Sequence, residues 1–122
     1  MPRVLIVDDD PLIRRLLQVN FRLEGFDVDT AAEGEESLEK ARADHPDPIV
    51  MDVMMPGMDG WEVCRRLKED ESLSGIPVVL LSARSDDDER DRGEAAGIAE
   101  YVTKPFDPGE LVQVVRRAMA AG

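Results

Sequence analysis

Five short apolar runs recur along the chain at intervals of about 20 to 30 residues, the length of a strand–helix unit. They are Val4–Val7, Phe26–Thr30, Ile49–Val53, Val78–Ser82 and Tyr101–Thr103. The first, third and fourth are continuous and rich in Val, Ile and Leu, as strands covered on both faces of a parallel sheet require. Helix-like stretches separate them. Asp10 and Pro11 supply an N-cap and a proline at the first helical position. Behind them Ile13, Leu16, Leu17 and Phe21 are expected on one inward face, and Gly25 is the stop. A weaker second helix runs from about Glu35 to Asp44, with Leu38 and Ala41 inward. A third starts near Asp59 with Val63, Cys64 and Leu67 inward. The last follows Asp107 and Pro108, with Leu111, Val114, Val115, Ala118 and Met119 as its apolar face. Val112 is expected at the edge of that face, near the fourth helix and open to a contact surface.

The fourth helix breaks the pattern. Asp86 to Ala96 carries no large apolar side chain. Asp86, Asp87, Asp88, Glu89, Asp91 and Glu94 stand against Arg90 and Arg92, with Gly93 between. Helices draw most of their stability from packing an apolar face, so this one is expected to be the least stable element. Alternating strands and helices predict an α/β domain, a doubly wound five-stranded parallel sheet flanked by five helices. In such folds the site lies beyond the carboxyl ends of the strands.

Composition narrows the classes. The 122 residues fit one domain over 1–122. The formal net charge is −12, which disfavours direct contact with nucleic acid or an anionic membrane. No apolar run is long enough for a transmembrane span, and Met1-Pro2-Arg3 leads straight into a strand, so neither membrane insertion nor a secretory leader is expected. The lone cysteine, Cys64, has no internal disulfide partner and reads as inert core in a reducing, cytoplasmic setting. His45 precedes Pro46 and reads as a solvated loop residue. Trp61 and the methionines Met51, Met54, Met55 and Met58 read as core and loop packing rather than a binding groove.

The strand ends hold the candidate chemistry. Asp8 and Asp9 follow the first run, Asp52 closes the third, Ser82 ends the fourth, and Lys104 follows the fifth. Taken singly, each reads as a solvated acid, a strand-end hydroxyl or a surface lysine. Parallel topology brings them to one edge. Two unit charges about 5 Å apart cost roughly 3 kcal/mol at an effective dielectric of 20, so clustered carboxylates need compensation. Lys104 supplies one positive charge. The remaining hard oxygens select Mg²⁺ or Mn²⁺ over zinc. Such a site suits phosphoryl transfer to a carboxylate nucleophile.

In this order the segments Val4-Leu5-Ile6-Val7-Asp8-Asp9-Asp10-Pro11, Met51-Asp52-Val53-Met54-Met55-Pro56-Gly57-Met58-Asp59-Gly60, Leu80-Leu81-Ser82-Ala83-Arg84 and Tyr101-Val102-Thr103-Lys104-Pro105-Phe106 resemble the receiver domains of two-component response regulators. The resemblance covers essentially the whole chain. It implies a flavodoxin-like sheet of order 2-1-3-4-5 and Asp52 as phosphoacceptor. It implies Mg²⁺ held by Asp9, Asp52 and the Met54 carbonyl, with Asp8 acting through a water. Lys104 would contact the phosphoryl group. Ser82 and Tyr101 would form the switch pair, the Lys104–Pro105 peptide would be cis, and Met54 and Arg84 would tune dephosphorylation. A sensor histidine kinase or phosphotransfer protein would be the donor, and a downstream protein target or output domain the reader. A phosphorylation-dependent dimer is left open, as is the choice between a single-domain regulator and the receiver of a longer one. The activity implied is Mg²⁺-dependent self-phosphorylation and autodephosphorylation rather than conventional enzymology.

Three departures stand out. Pro48 lacks an N–H, so the third strand should start late, at Ile49. Asp91 and Glu94 replace apolar residues on the fourth helix, and Ile98 replaces a small one and is expected to pack there in compensation. Rival readings fare worse. An aspartyl-phosphate phosphatase needs an acid two residues after its nucleophile, where Met54 stands. A flavodoxin-like cofactor carrier needs a hydroxyl- and glycine-rich phosphate loop, where Asp8-Asp9-Asp10-Pro11 stands. A phosphorylation-independent receiver-like interaction module would not need every reactive residue type that is present.

Overall fold

A computed structural model of the chain describes residues 1–84 and 87–121. Five strands, β1 (Arg3–Val7), β2 (Asp27–Ala31), β3 (Ile49–Asp52), β4 (Val78–Ser82) and β5 (Glu100–Thr103), alternate with α1 (Pro11–Leu23), α2 (Gly34–Asp44), α3 (Gly60–Glu69), α4 (Asp87–Ala96) and α5 (Pro108–Ala121). The sheet is parallel throughout, in the order β2-β1-β3-β4-β5. Pro48 stays outside β3, and its carbonyl accepts the Leu5 amide at 3.1 Å. β2 lies one residue later than its apolar run, because Phe26 turns into the core while Ala31 completes the pairing with Val7. The expected fourth-helix start at Asp86 falls outside the described residues.

Alternation along each strand sends side chains to two core layers. Leu5, Val7, Ile49, Met51, Val78 and Leu80 pack under α2 and α3, whose Leu38, Ala41, Trp61, Val63, Cys64 and Leu67 fill that side. Val4, Ile6, Val50, Val79 and Leu81 pack against Leu17 and Phe21 of α1 and Leu111, Val112, Val115 and Ala118 of α5. Ile98 packs against the first layer, as expected. Cys64 is buried, and that burial pushes its thiol up to about 12, so it is unreactive. His45 is exposed and caps α2 in the left-handed region at φ 48°.

Leu16, expected inward, and Val112, expected at an open edge of the α5 face, both depart from expectation. Leu16 is 43% exposed. One residue on from Leu16, Leu17 takes the inward position with Phe21, and the 100° step per residue turns Leu16 outward. It joins Leu12, Val19 and Leu23 in an exposed stripe along α1. Val112 is fully buried in the second layer and offers nothing to a partner. α5 packs against α1 as well as the sheet, on the layer opposite α3, so its buried sector takes in neighbours Leu111 and Val112 together.

Candidate functional site

The caps aim the loops. Asp10 accepts the Leu12 amide at 2.9 Å and Asp59 accepts the Glu62 amide at 3.0 Å, which starts α1 and α3 beside the strand ends. Gly57, at φ 77°, makes the turn between β3 and α3. Gly60 then sits against the backbone of Asp52, with its N–H on the Val53 carbonyl at 2.9 Å.

Asp8, Asp9 and Asp52 converge at this edge. One carboxylate oxygen of each lies within 4.8 Å of the others. Asp8 and Asp52 are buried and Asp9 is exposed. Lys104 Nζ is 3.3 Å from Asp52 Oδ2 and 3.9 Å from Asp8 Oδ2. Asp8 Oδ1 accepts the Asp10 amide at 2.9 Å, but buried Asp8 Oδ2 has no hydrogen-bond partner among the described residues. Burial raises the Asp8 carboxyl to about 6, and the charges of Asp52 and Asp9 push the same way against the Asp10 amide and Lys104. Asp52 is also raised by burial, with Lys104 and the Met54 amide opposing. Three clustered carboxylates and one ammonium, with an orphaned buried oxygen, fit a hard divalent cation.

The other predicted residues fall around this cluster. Met54 donates its amide to Asp52 Oδ1 at 3.3 Å, and its side chain is 70% exposed. Ser82 is buried and its Oγ accepts the Arg84 amide at 3.1 Å. The Lys104–Pro105 peptide is cis. Tyr101 does not join the carboxylates. Its hydroxyl donates to the Arg84 carbonyl at 2.7 Å, so among the described residues it reaches the edge through Arg84. Arg84 itself pairs with Glu89 of α4 at 3.2 Å.

The order of these residues along the chain matches a known pattern. The family model for the response regulator receiver domain covers residues 4–116. This chain belongs to the response regulator receiver family. The receiver domain is 41% identical over 116 residues to the DNA-binding dual master transcriptional regulator RpaA of Synechocystis sp., covering 95% of this chain and 48% of that protein. It is 41% identical over 122 residues to the transcriptional regulatory protein AfsQ1 of Streptomyces coelicolor, covering 100% of this chain and 53% of that one. The chain thus spans about half the length of these curated relatives. Its fold is similar to that of the Vibrio cholerae chemotaxis protein CheY4, at a TM-score of 0.92 and 32% identity over 97% of this chain and 98% of that one. The Francisella response regulator 1452 receiver domain gives 0.93 and 32%, over 99% and 98%. The expected flavodoxin-like architecture is therefore borne out.

Three supports of the receiver domain's site escaped the sequence reading. Arg14 donates to the Asp8 carbonyl at 2.7 Å. Glu89 is buried although its helix carries no large apolar side chain. Gly60 makes a backbone approach that leaves no room for a side chain. Helical spacing from Pro11 hints at Arg14. Nothing local hints at Glu89. Among the described residues no helix is long and apolar enough to cross a membrane.

Proposed function

We propose that this receiver domain is a phosphorylatable switch in which Asp52 takes a phosphoryl group from a phosphohistidine. The observation that carries the reading is Asp52 itself: buried, 3.3 Å from Lys104 Nζ and within 4.8 Å of two more carboxylates. An Asp52 oxygen attacks phosphorus, the new O–P bond forms as the N–P bond breaks, and the donor imidazole leaves with the bonding pair. Lys104 pairs with a phosphoryl oxygen as Asp52 gives up its charge. The Ser82 hydroxyl turns from the Arg84 amide toward another. Asp9, Asp52 and the Met54 carbonyl would hold Mg²⁺ or Mn²⁺, with Asp8 acting through water. The ion supplies charge neutralisation for the transferring group. Met54 and Arg84 flank the approach and set how readily water reaches the acyl phosphate.

The donor is a sensor histidine kinase or phosphotransfer protein. The exposed stripe of Leu12, Leu16, Val19 and Leu23, at four-three-four spacing on the helix that starts beside Asp9, suits a helical partner. The reader is a downstream protein or output domain, and the setting is the cytoplasm. The acidic surface argues against direct nucleic-acid contact.

Intact mass after incubation with acetyl phosphate and Mg²⁺ tests this. One added phosphoryl group is expected, absent with chelator and absent in Asp52→Asn. No adduct in the wild-type chain would hand the function to phosphorylation-independent partner binding.

A further inference from the structure

Helix α4 has no large apolar side chain, yet it lies against α3 and β5. Ala96 packs against the first core layer, and charged groups supply further docking. The Arg92 guanidinium carbon lies 4.7 Å from the centre of the Trp61 ring on α3. Arg90 lies 5.9 Å from the Tyr101 ring on β5. The two rings stack, with centroids 6.4 Å apart and planes 17° from parallel. The result is a continuous run of guanidinium, indole, phenol and guanidinium that leaves α4 and returns to it. Buried Glu89 adds its pair with Arg84. Just after Arg92, a Cβ on Gly93 would stand 3.7 Å from Tyr101 Cδ2 as well as 2.9 Å from Ile98 Cδ1, so the helix is already seated close to β5.

This run reaches the phosphoacceptor edge through one residue. The Arg84 carbonyl accepts the Tyr101 hydroxyl, and the Arg84 amide donates to Ser82 Oγ. Whatever fixes the Tyr101 ring therefore bears on the peptide that holds Ser82. Trp61 covers one face of that ring and carries Arg92 as well. A space-filling core residue in its place could do neither, because a cation is drawn to a ring face and not to an alkyl chain.

We propose that Trp61 is a positioning residue of the switch: through its stack on Tyr101 and its contact with Arg92 it sets where Tyr101 and α4 stand, and so couples α3 to events at Asp52. Only the last link rests on the phosphoacceptor reading. The docking of α4 on Trp61 stands or falls by itself.

The test uses the full chain, with hydrogen exchange across residues 90–96 and the emission of Trp61, the sole tryptophan. Arg92 is exposed, so Arg92→Ala leaves the core untouched. It is expected to speed α4 exchange about 2- to 5-fold and to change Trp61 emission, with Arg92→Lys close to wild type. Trp61→Leu is expected to speed α4 exchange about 10-fold, and Trp61→Phe, which keeps a ring face, no more than about 3-fold. Exchange in α5 stays unchanged in the two Arg92 variants and rises less than in α4 in the two Trp61 variants, whereas a purely general loss of stability would raise both alike. An Arg92→Ala protein with wild-type exchange and emission would overturn the docking. For the coupling, acetyl phosphate and Mg²⁺ should shift Trp61 emission in the wild type, not in Asp52→Asn, and by less than half as much in Arg92→Ala. Phosphorylation seen by mass with no emission change would overturn it. No phosphorylation by mass would instead sink the phosphoacceptor reading, and the resting-state exchange would still decide whether Trp61 docks α4.

Discussion

Asp8→Asn is expected to stabilise the metal-free protein by about 3 kcal/mol at pH 7, which is roughly 10 °C in Tm for a domain of this size. The buried Asp8 carboxyl is raised to about 6 from an unfolded value of 3.8. Below about pH 4 both states carry it neutral and the penalty is absent. Between pH 4 and 6 the folded chain keeps a proton that the unfolded chain has released, so stability falls as pH rises. Above pH 6 the folded chain bears the full cost of a buried charge. Asparagine keeps the oxygen that accepts the Asp10 amide and carries no charge. The gain should therefore vanish near pH 4, and saturating Mg²⁺ should narrow it at pH 7 because the ion favours the wild-type site. Urea midpoints at both pH values, with chelator and with Mg²⁺, measure all of this. A variant less stable than wild type at pH 7 without metal would mean that attraction to Lys104 outweighs burial.

Gly60→Ala is expected to act in the opposite direction and to reach the chemistry as well. A Cβ at this position would stand 2.9 Å from both the Asp52 carbonyl oxygen and Val53 Cα. These are backbone atoms of a buried strand end, so neither can yield as a flexible side chain would. Overpacking of this kind costs about 1–3 kcal/mol. The relief available is for α3 to lift or for the Asp52 peptide to move, and displacement by even an ångström can cost about 100-fold in a positioned reaction. Phosphoryl uptake from acetyl phosphate should fall at least about 10-fold with Mg²⁺ saturating. Gly75→Ala is the control: a Cβ there meets nothing within 4 Å, and its effect should stay within about 0.5 kcal/mol. Equal midpoints and equal uptake for the two variants would show that the α3 terminus does not constrain Asp52.

What the sequence makes legible follows from how local each cause is. The continuous runs at Val4–Val7 and Val78–Ser82 announce buried parallel strands, and Asp10-Pro11 and Asp107-Pro108 announce helix starts, because caps and periodicity are short-range. The candidate site is legible too: parallel topology alone gathers Asp8, Asp52 and Lys104 at one edge. Leu16 and Val112 are missed because an apolar residue beside the core stripe can turn either way, and packing between helices decides which. Glu89 is missed because its pairing with Arg84, outside the helix, is a tertiary contact. The orphaned oxygen of Asp8 is an atomic fact that no residue pattern carries.

The two core layers also close at different times during synthesis. Strands β1 and β3 and helices α2 and α3 are complete by Glu69, so much of the first layer can assemble early. The second layer cannot. Leu17 and Phe21 cover part of it, but Val4, Ile6 and Val50 also wait for Leu111, Val112, Val115 and Ala118, which come later in the domain than any other part of that layer. Until α5 emerges, a row of aliphatic side chains on a parallel sheet lies open to water. The nascent domain is thus most exposed to aggregation just before α5 emerges, and a chaperone that shields apolar strands would act in that interval.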